Sequence, residues 1–276
     1  RNAVRSWKQL GPDAEVFLIG DDPGIKEAAL ELGVAHLPGV EMNDMGTPLI
    51  SSIFSLARAA SSSELLLYLN ADILLIPETI QVIQDVYRKK KEFLLVGRRW
   101  DLDVIEEMNF ENNWSLSLKE RVSEQGKLQT PTAMDYFVFP RYLFQEIPPF
   151  AVGRAGWDNW MIYHGMKQTW PVIDSTEALL VVHQNHDYAH LPDGTPHYNL
   201  EESHNNVTLA GGIRNTFDLV DVPLHLINGK ISRKKINLVR FLRKLERIVT
   251  PPERKGWRWK VTSILKRTQR KLSGDW

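Results

Sequence analysis

The amino-acid sequence predicts an α/β layer fold, with a mainly parallel sheet flanked by helices and a basic, partly helical C-terminal tail. Three observations predict it. Apolar, β-branched runs of strand length alternate with segments of helical period. One such run, Leu65–Leu69 in "ELLLYLNAD", is continuously apolar and too short for a buried helix, which marks a strand central in the sheet. The third is a charge step. The chain's 34 Lys and Arg balance its 34 Asp and Glu, but from Asn228 onward 16 basic residues stand against Glu246, Glu253 and Asp275, leaving 18 basic and 31 acidic before that point. The body is thus about −13 and the tail about +13, an asymmetry that suggests an anionic partner for the tail. The chain divides accordingly into residues 1–227, an α/β unit, and 228–276, a basic extension.

The elements follow in order. "RNAVRSWKQLG" reads as a helix. Folds of this class usually open on a strand, so a first strand is expected to be missing or to lie upstream. "AEVFLIGDD" is an apolar strand that stops at acids; "GIKEAALELG" is a helix closed by Gly33; "VAHLPGV" is a short strand. "PLISSIFSLARAASS" is helical, with Leu49, Ile53 and Leu56 on one side. After "ELLLYLNAD", "PETIQVIQDVYRKKK" begins with Pro77 at a helix start, and "EFLLVGRRW" is a further strand. Residues 101–130 are polar and irregular, which predicts a loop.

Composition narrows the chemistry. A chain of 276 residues that is 43% hydrophobic and 25% charged has ample material for a core. There is no cysteine, so disulfides, thiol nucleophiles and cysteine-based zinc sites are excluded, in keeping with a reducing compartment and a cytoplasmic location. No run of 18 apolar residues predicts a span, and the first residues lack a signal-peptide pattern. Phosphate-loop, dinucleotide-fingerprint, nucleophile-elbow and H-E-x-x-H motifs are all absent.

Asn70-Ala71-Asp72 interrupts an apolar run at the point where a strand ends, and in open α/β sheets ligands bind outside the carboxyl ends of strands. A carboxylate there suits a divalent cation; the same residues equally make a strand-to-helix turn by capping backbone N–H groups. Five stretches in succession, "VFLIGDD", "YLNADILL", "DYFVFPRYLF", "GWDNWMIYHG" and "LLVVHQNHDY", resemble glycosyltransferases of the GT-A (Rossmann-like) fold, similar to family 2 and related nucleotide-diphospho-sugar transferases. The resemblance covers about Arg1 to Asp187. It implies transfer of a sugar from a nucleotide-diphosphate-sugar donor to a hydroxyl acceptor (a glycan, lipid or small molecule), assisted by Mn²⁺ or Mg²⁺. It further implies Asp21, Asp22 and Asn70 around the nucleotide, Asp72 on the metal with His183 or His186 assisting, and Asp158 or Asp135 as catalytic carboxylate.

The chain also departs from the pattern. Asn70 stands where the motif usually has its first acid, which leaves Asp72 as the direct carboxylate ligand and calls for a further one from "HQNHDYAH", where His183, His186 and His190 follow a strand. Asp158 opens a helix, so capping and base catalysis compete for it. Arg98 and Arg99 suit phosphate oxygens or surface ion pairs. Trp157, Trp160 and Trp170 suit either sugar faces or the core. Two other functions stand beside the transferase: an inactive GT-A-like scaffold, which Asn70 favours, and a sugar nucleotidyltransferase, whose Gly-rich basic loop is not seen. In the tail, Ile236, Val239, Leu242 and Leu245 recur at helical spacing among Lys and Arg, and Trp257 and Trp259 follow Pro251-Pro252. Such a segment either lies on an anionic membrane or docks its apolar stripe on the acidic body; nucleic acid is disfavoured.

Overall fold

The computed structural model describes residues 1–185 and 200–274. Its centre is a six-stranded sheet containing β3 (Leu65–Leu69), β5 (Leu94–Val96), β8 (Tyr136–Pro140), β9 (Val172–Asp174), β11 (Leu224–Ile227) and β12 (Lys230–Arg233), in the order β12-β11-β9-β5-β8-β3. Strands β5, β9 and β11 run parallel; β8 runs opposite to its neighbours β5 and β3, and β12 opposite to β11. The α/β layering is as expected, with strand directions mixed.

Alternation along the central strands feeds two cores. Phe137 and Phe139 of β8, Leu94 and Val96 of β5, and Val172 of β9 join one cluster, while Tyr136, Val138, Leu95 and Ile173 join the other. Successive side chains point to opposite faces, so a strand apolar at every position is covered on both. The first face is covered by α3 (Ile50–Ala60) and α6 (Trp157–Lys167), through Ile50, Phe54, Trp160 and Met161. The second is covered by α1 (Asn2–Lys8) and α4 (Glu78–Lys89), through Val4, Trp7, Ile83 and Val86.

A four-stranded sheet lies beyond the carboxyl ends of β3 and β5. It is built from β4 (Ile73–Leu75), β10 (Val181–Gln184), β6 (Trp100–Leu102) and β7 (Lys127–Leu128), in that order. Helix α1 closes its β4 edge: Trp7 Nε1 donates to the Ile73 carbonyl at 2.8 Å, and Leu75 N donates to Ser6 Oγ at 3.1 Å. Strands β1 (Phe17–Ile19) and β2 (Ala35–Leu37), joined through α2 (Ile25–Leu32), form a separate parallel pair.

Two expectations are corrected. The run Leu65–Leu69 is not central: β3 ends the sheet, and among the described residues β8 is its one strand partner. Its continuous apolar character reflects packing on both faces, Leu66 and Tyr68 against one core cluster and Leu65, Leu67 and Leu69 against the other, not strands on both sides. Residues 101–130 are not a loop. They complete β6 and contain α5 (Trp114–Gln125) and β7, because Trp114, Leu118 and Val122 form one stripe that packs on Leu74, Leu102 and Val182.

The tail begins inside the sheet. Asn228 and Gly229, both at positive φ, make the two-residue turn joining β11 to β12. Helices α8 (Leu238–Val249) and α9 (Gly256–Ser273) then pack on each other. The Arg243 guanidinium ties α8 to the body, bonding Asp218 and Asp221 at 2.7 Å while also holding Glu246 at 2.8 Å. Gln269 Nε2 of α9 reaches the same Glu246 at 3.1 Å.

Candidate functional site

Asn70, Ala71 and Asp72 form the turn that leaves β3 and enters β4, so the chain passes there from one sheet to the other. The turn is stapled from both sides. Asn70 N donates to the Asp135 carbonyl at 3.1 Å, and the backbone N and Nε2 of Gln184 donate to the Asp72 carbonyl at 3.1 and 3.0 Å. Because β8 is antiparallel to β3, its first residue Tyr136 pairs with Leu69, the last of β3. Asp135, just before β8, therefore stands beside Asn70, at the edge where β5 also ends and Arg98 and Arg99 begin.

The side chains there form one network. Asn70 Nδ2 donates to Asp135 Oδ1 at 2.7 Å, and Asn70 Oδ1 accepts from the Tyr68 hydroxyl at 3.1 Å. Arg99 bonds Asp135 Oδ2 through one amino group and Asp101 Oδ1 through Nε at 2.9 Å. His183, almost fully buried, places Nε2 3.3 Å from Asp72 Oδ2 and Nδ1 3.4 Å from Asp101 Oδ1. Register explains this: on β10, His183 pairs with Asp101 of β6 on one side and with Ile73, next to Asp72, on the other. Of the carboxylates, Asp72 is the most open, its side chain 28% exposed against 19% for Asp101 and 10% for Asp135.

Asp158 enters the same field from the first turn of α6, where its Oδ1 accepts from Gly156 N at 3.2 Å and Asn159 N at 2.8 Å. Burial pushes its carboxyl up to about 6 despite those two amides, and Asp135 adds to the rise. Burial likewise raises Asp135, with Arg99 pulling it back. The Tyr68 hydroxyl is raised by burial and by the charges of Asp135, Asp72 and Asp158. Trp157 packs edge-on against Tyr68, with ring centres 5.1 Å apart.

The structure thus brings together Asn70, Asp72, Asp135, Asp158 and His183 from the sequence-derived set. It leaves others apart. Asp21 closes the loop after β2, accepting from Gly39 N at 2.9 Å and Val40 N at 3.0 Å, and Asp22 is exposed. Arg98 turns Nη1 to the Gln129 carbonyl at 3.3 Å, and its neighbour Arg99 enters the carboxylate network. His186 and His190 lie outside the described residues. Trp157 and Trp160 are core residues, 5% and 6% exposed, and offer no open face to a sugar. Tyr68 and Asp101 were not anticipated; the one signal for Asp101 is an acid two residues beyond an Arg pair at a strand end.

Among the described residues, no three His, Asp or Glu side chains converge as a complete metal cage. The donors that do converge are one carboxylate and one imidazole whose other nitrogen faces a second carboxylate. That pattern fits a divalent cation carried with a polyphosphate, because Mg²⁺ typically binds one or two carboxylates, several waters and substrate phosphates. A cavity of about 640 Å³, lined by Arg58, Glu146 and His164 among others, contains none of these residues. No helix among the described residues is long and apolar enough to cross a membrane.

No protein-family model and no curated protein matches the chain. Among solved structures, it is similar to glucosyl-3-phosphoglycerate synthase from Mycobacterium tuberculosis in complex with phosphoglyceric acid, with 15% identity, a TM-score of 0.46, and coverage of 85% of this chain and 81% of that one. It is also similar to a mycobacterial protein, with 13% identity, a TM-score of 0.44, and coverage of 77% and 68%.

Proposed function

We propose that the chain is a glycosyltransferase that moves a sugar from a nucleotide-diphosphate-sugar donor to a hydroxyl acceptor. One observation carries the reading. Asp72, Asp101, Asp135 and Asp158 converge where two sheets meet, with Arg99 bonded to Asp101 and Asp135 and His183 between Asp72 and Asp101. Such a surplus of negative charge at strand ends suits a donor that arrives with a divalent cation.

In this reading Asp72 and His183 hold Mn²⁺ or Mg²⁺, and Asp101 orients the imidazole. When bound, the cation supplies positive charge against the departing diphosphate. Arg99 offsets part of the rise that burial imposes on Asp135, and Asn70, held by Tyr68 and Asp135, fixes the turn that presents Asp72. Asp158 is the base. A carboxyl with a pKa of about 6 is ionised at neutral pH yet basic enough to take a proton. The acceptor hydroxyl gives its proton to Asp158 Oδ2, the oxygen not engaged by the helix amides. Its oxygen then bonds the anomeric carbon as the bond to the diphosphate breaks, and the nucleoside diphosphate leaves with the electron pair.

A GT-A-like scaffold without catalysis is the second reading, favoured by the engagement of Asn70 in bonds within the protein. Calorimetric titration of UDP and GDP, with and without Mn²⁺, separates the two. The transferase reading expects one nucleotide to bind in a Mn²⁺-dependent manner, with affinity lowered by more than about tenfold in Asp72→Asn. Absence of binding to either nucleotide would leave the scaffold.

A further inference from the structure

Helices α8 and α9 are mounted with their polar sides inward. On α8 the buried positions are Arg243 and Glu246, and on α9 they are Thr262 and Gln269. Eight large apolar residues face out instead. Leu238, Phe241, Leu245 and Ile248 recur at helical spacing along α8, and Trp257, Val261, Ile264 and Leu272 do so along α9; every one is exposed, with Ile248 at 71%, Trp257 at 72% and Ile264 at 64%. A surface helix on a water-soluble body normally presents the reverse arrangement. The Arg243 network fixes the orientation, since turning the stripes inward would strip the body acids Asp218 and Asp221 of their guanidinium.

Exposed cations border both stripes: Lys244 on α8, Arg254 and Lys255 between the helices, and Lys260, Arg267, Arg270 and Lys271 on α9. We propose that this helical hairpin is a docking surface for an anionic lipid bilayer, with the apolar stripes entering the headgroup region and the cations meeting lipid phosphates. Charge selects this occupant. A second copy would bring another strongly basic tail against the first, whereas anionic lipid supplies both the opposite charge and the apolar layer. The acidic body is not the occupant, because the helices already meet it through their polar side. The inference stands independently of the transferase reading.

The test is co-sedimentation of the full chain with vesicles of phosphatidylcholine alone and of phosphatidylcholine with about one third phosphatidylglycerol. The expected result is binding to the anionic vesicles only, weakened by added salt. The triple variant Lys260→Glu, Arg267→Glu, Lys271→Glu should bind at least about a hundredfold more weakly, from about fivefold for each cation lost near the surface. The pair Trp257→Gln, Ile264→Gln should also release the protein, with unchanged thermal melting because both side chains are exposed. Equal binding to both vesicle types, binding unaltered in the two variants, or concentration-dependent dimerisation abolished by Trp257→Gln, Ile264→Gln would each overturn the proposal.

Discussion

Replacing Asp158 by Asn should make the protein more stable and less active. The Asp158 carboxyl has a pKa of about 6 in the folded chain against an ordinary value of 3.8, so its ionisation opposes folding. For a carboxyl whose folded value lies above its unfolded one, the favourable contribution is present below 3.8 and is lost as pH rises through 6. Above that range the cost approaches about 3 kcal/mol, the free-energy equivalent of the shift. Asparagine keeps the shape and the oxygen that accepts from Gly156 N and Asn159 N, and it removes the charge. Urea unfolding of both proteins from pH 4 to 8 should therefore show Asp158→Asn gaining about 1–3 kcal/mol at pH 8, with the gain vanishing toward pH 4. In the same variant, sugar transfer should fall by at least about a hundredfold, and the wild-type rate should rise with pH through about 6. A stability difference that is absent, or constant with pH, would refute the burial argument; full transfer by Asp158→Asn would refute its role as base.

Two further predictions concern the supports of the site and of the tail. Asp101→Asn weakens the acceptor facing His183 Nδ1 and should lower Mn²⁺-dependent nucleotide affinity about 10–100-fold, with melting little changed; an unaltered affinity would remove Asp101 from the site. Arg243→Met leaves Asp218 and Glu246 buried without their guanidinium and should cost about 3–5 kcal/mol in urea unfolding at pH 7. Burial alone would raise Asp221, but Arg243 and Arg247 overcome it and hold the carboxyl down at about 2, so that stabilisation exists above 3.8 and fades as pH falls toward 2. The Arg243→Met penalty should shrink over the same window, and a loss below about 1 kcal/mol at pH 7 would show the network to be superficial.

The layered fold was legible because alternation and coverage leave local traces. A strand apolar at every position announces two covered faces, and Leu65–Leu69 did so, yet coverage says nothing about how many strands lie alongside, and β3 proved to be an edge. Asn70-Ala71-Asp72 and Asp158 stood out because polar groups interrupt apolar surroundings. Asp101 and Tyr68 left no such mark. Their place in the site comes from the pairing of β10 with β6 and from the packing of Trp157 on Tyr68, both long-range relations that no short window contains. Helix α5 was hidden for a different reason, since its three apolar residues are diluted among Ser, Lys and Glu.

The tail shows where a periodic pattern stops being informative. Amphipathic spacing identifies two faces of a helix, and the usual inference turns the apolar face toward the body because that burial lowers free energy. Here four ionic groups decide otherwise. Arg243 and Arg247 can reach Asp218 and Asp221 only with the polar face of α8 inward, and one buried guanidinium left without its carboxylates costs about as much as burying two leucine-sized side chains returns. The sign of an amphipathic helix is therefore set by whether its polar face carries partners for charges already buried in the body. For this chain that condition sends the apolar stripes of α8 and α9 outward.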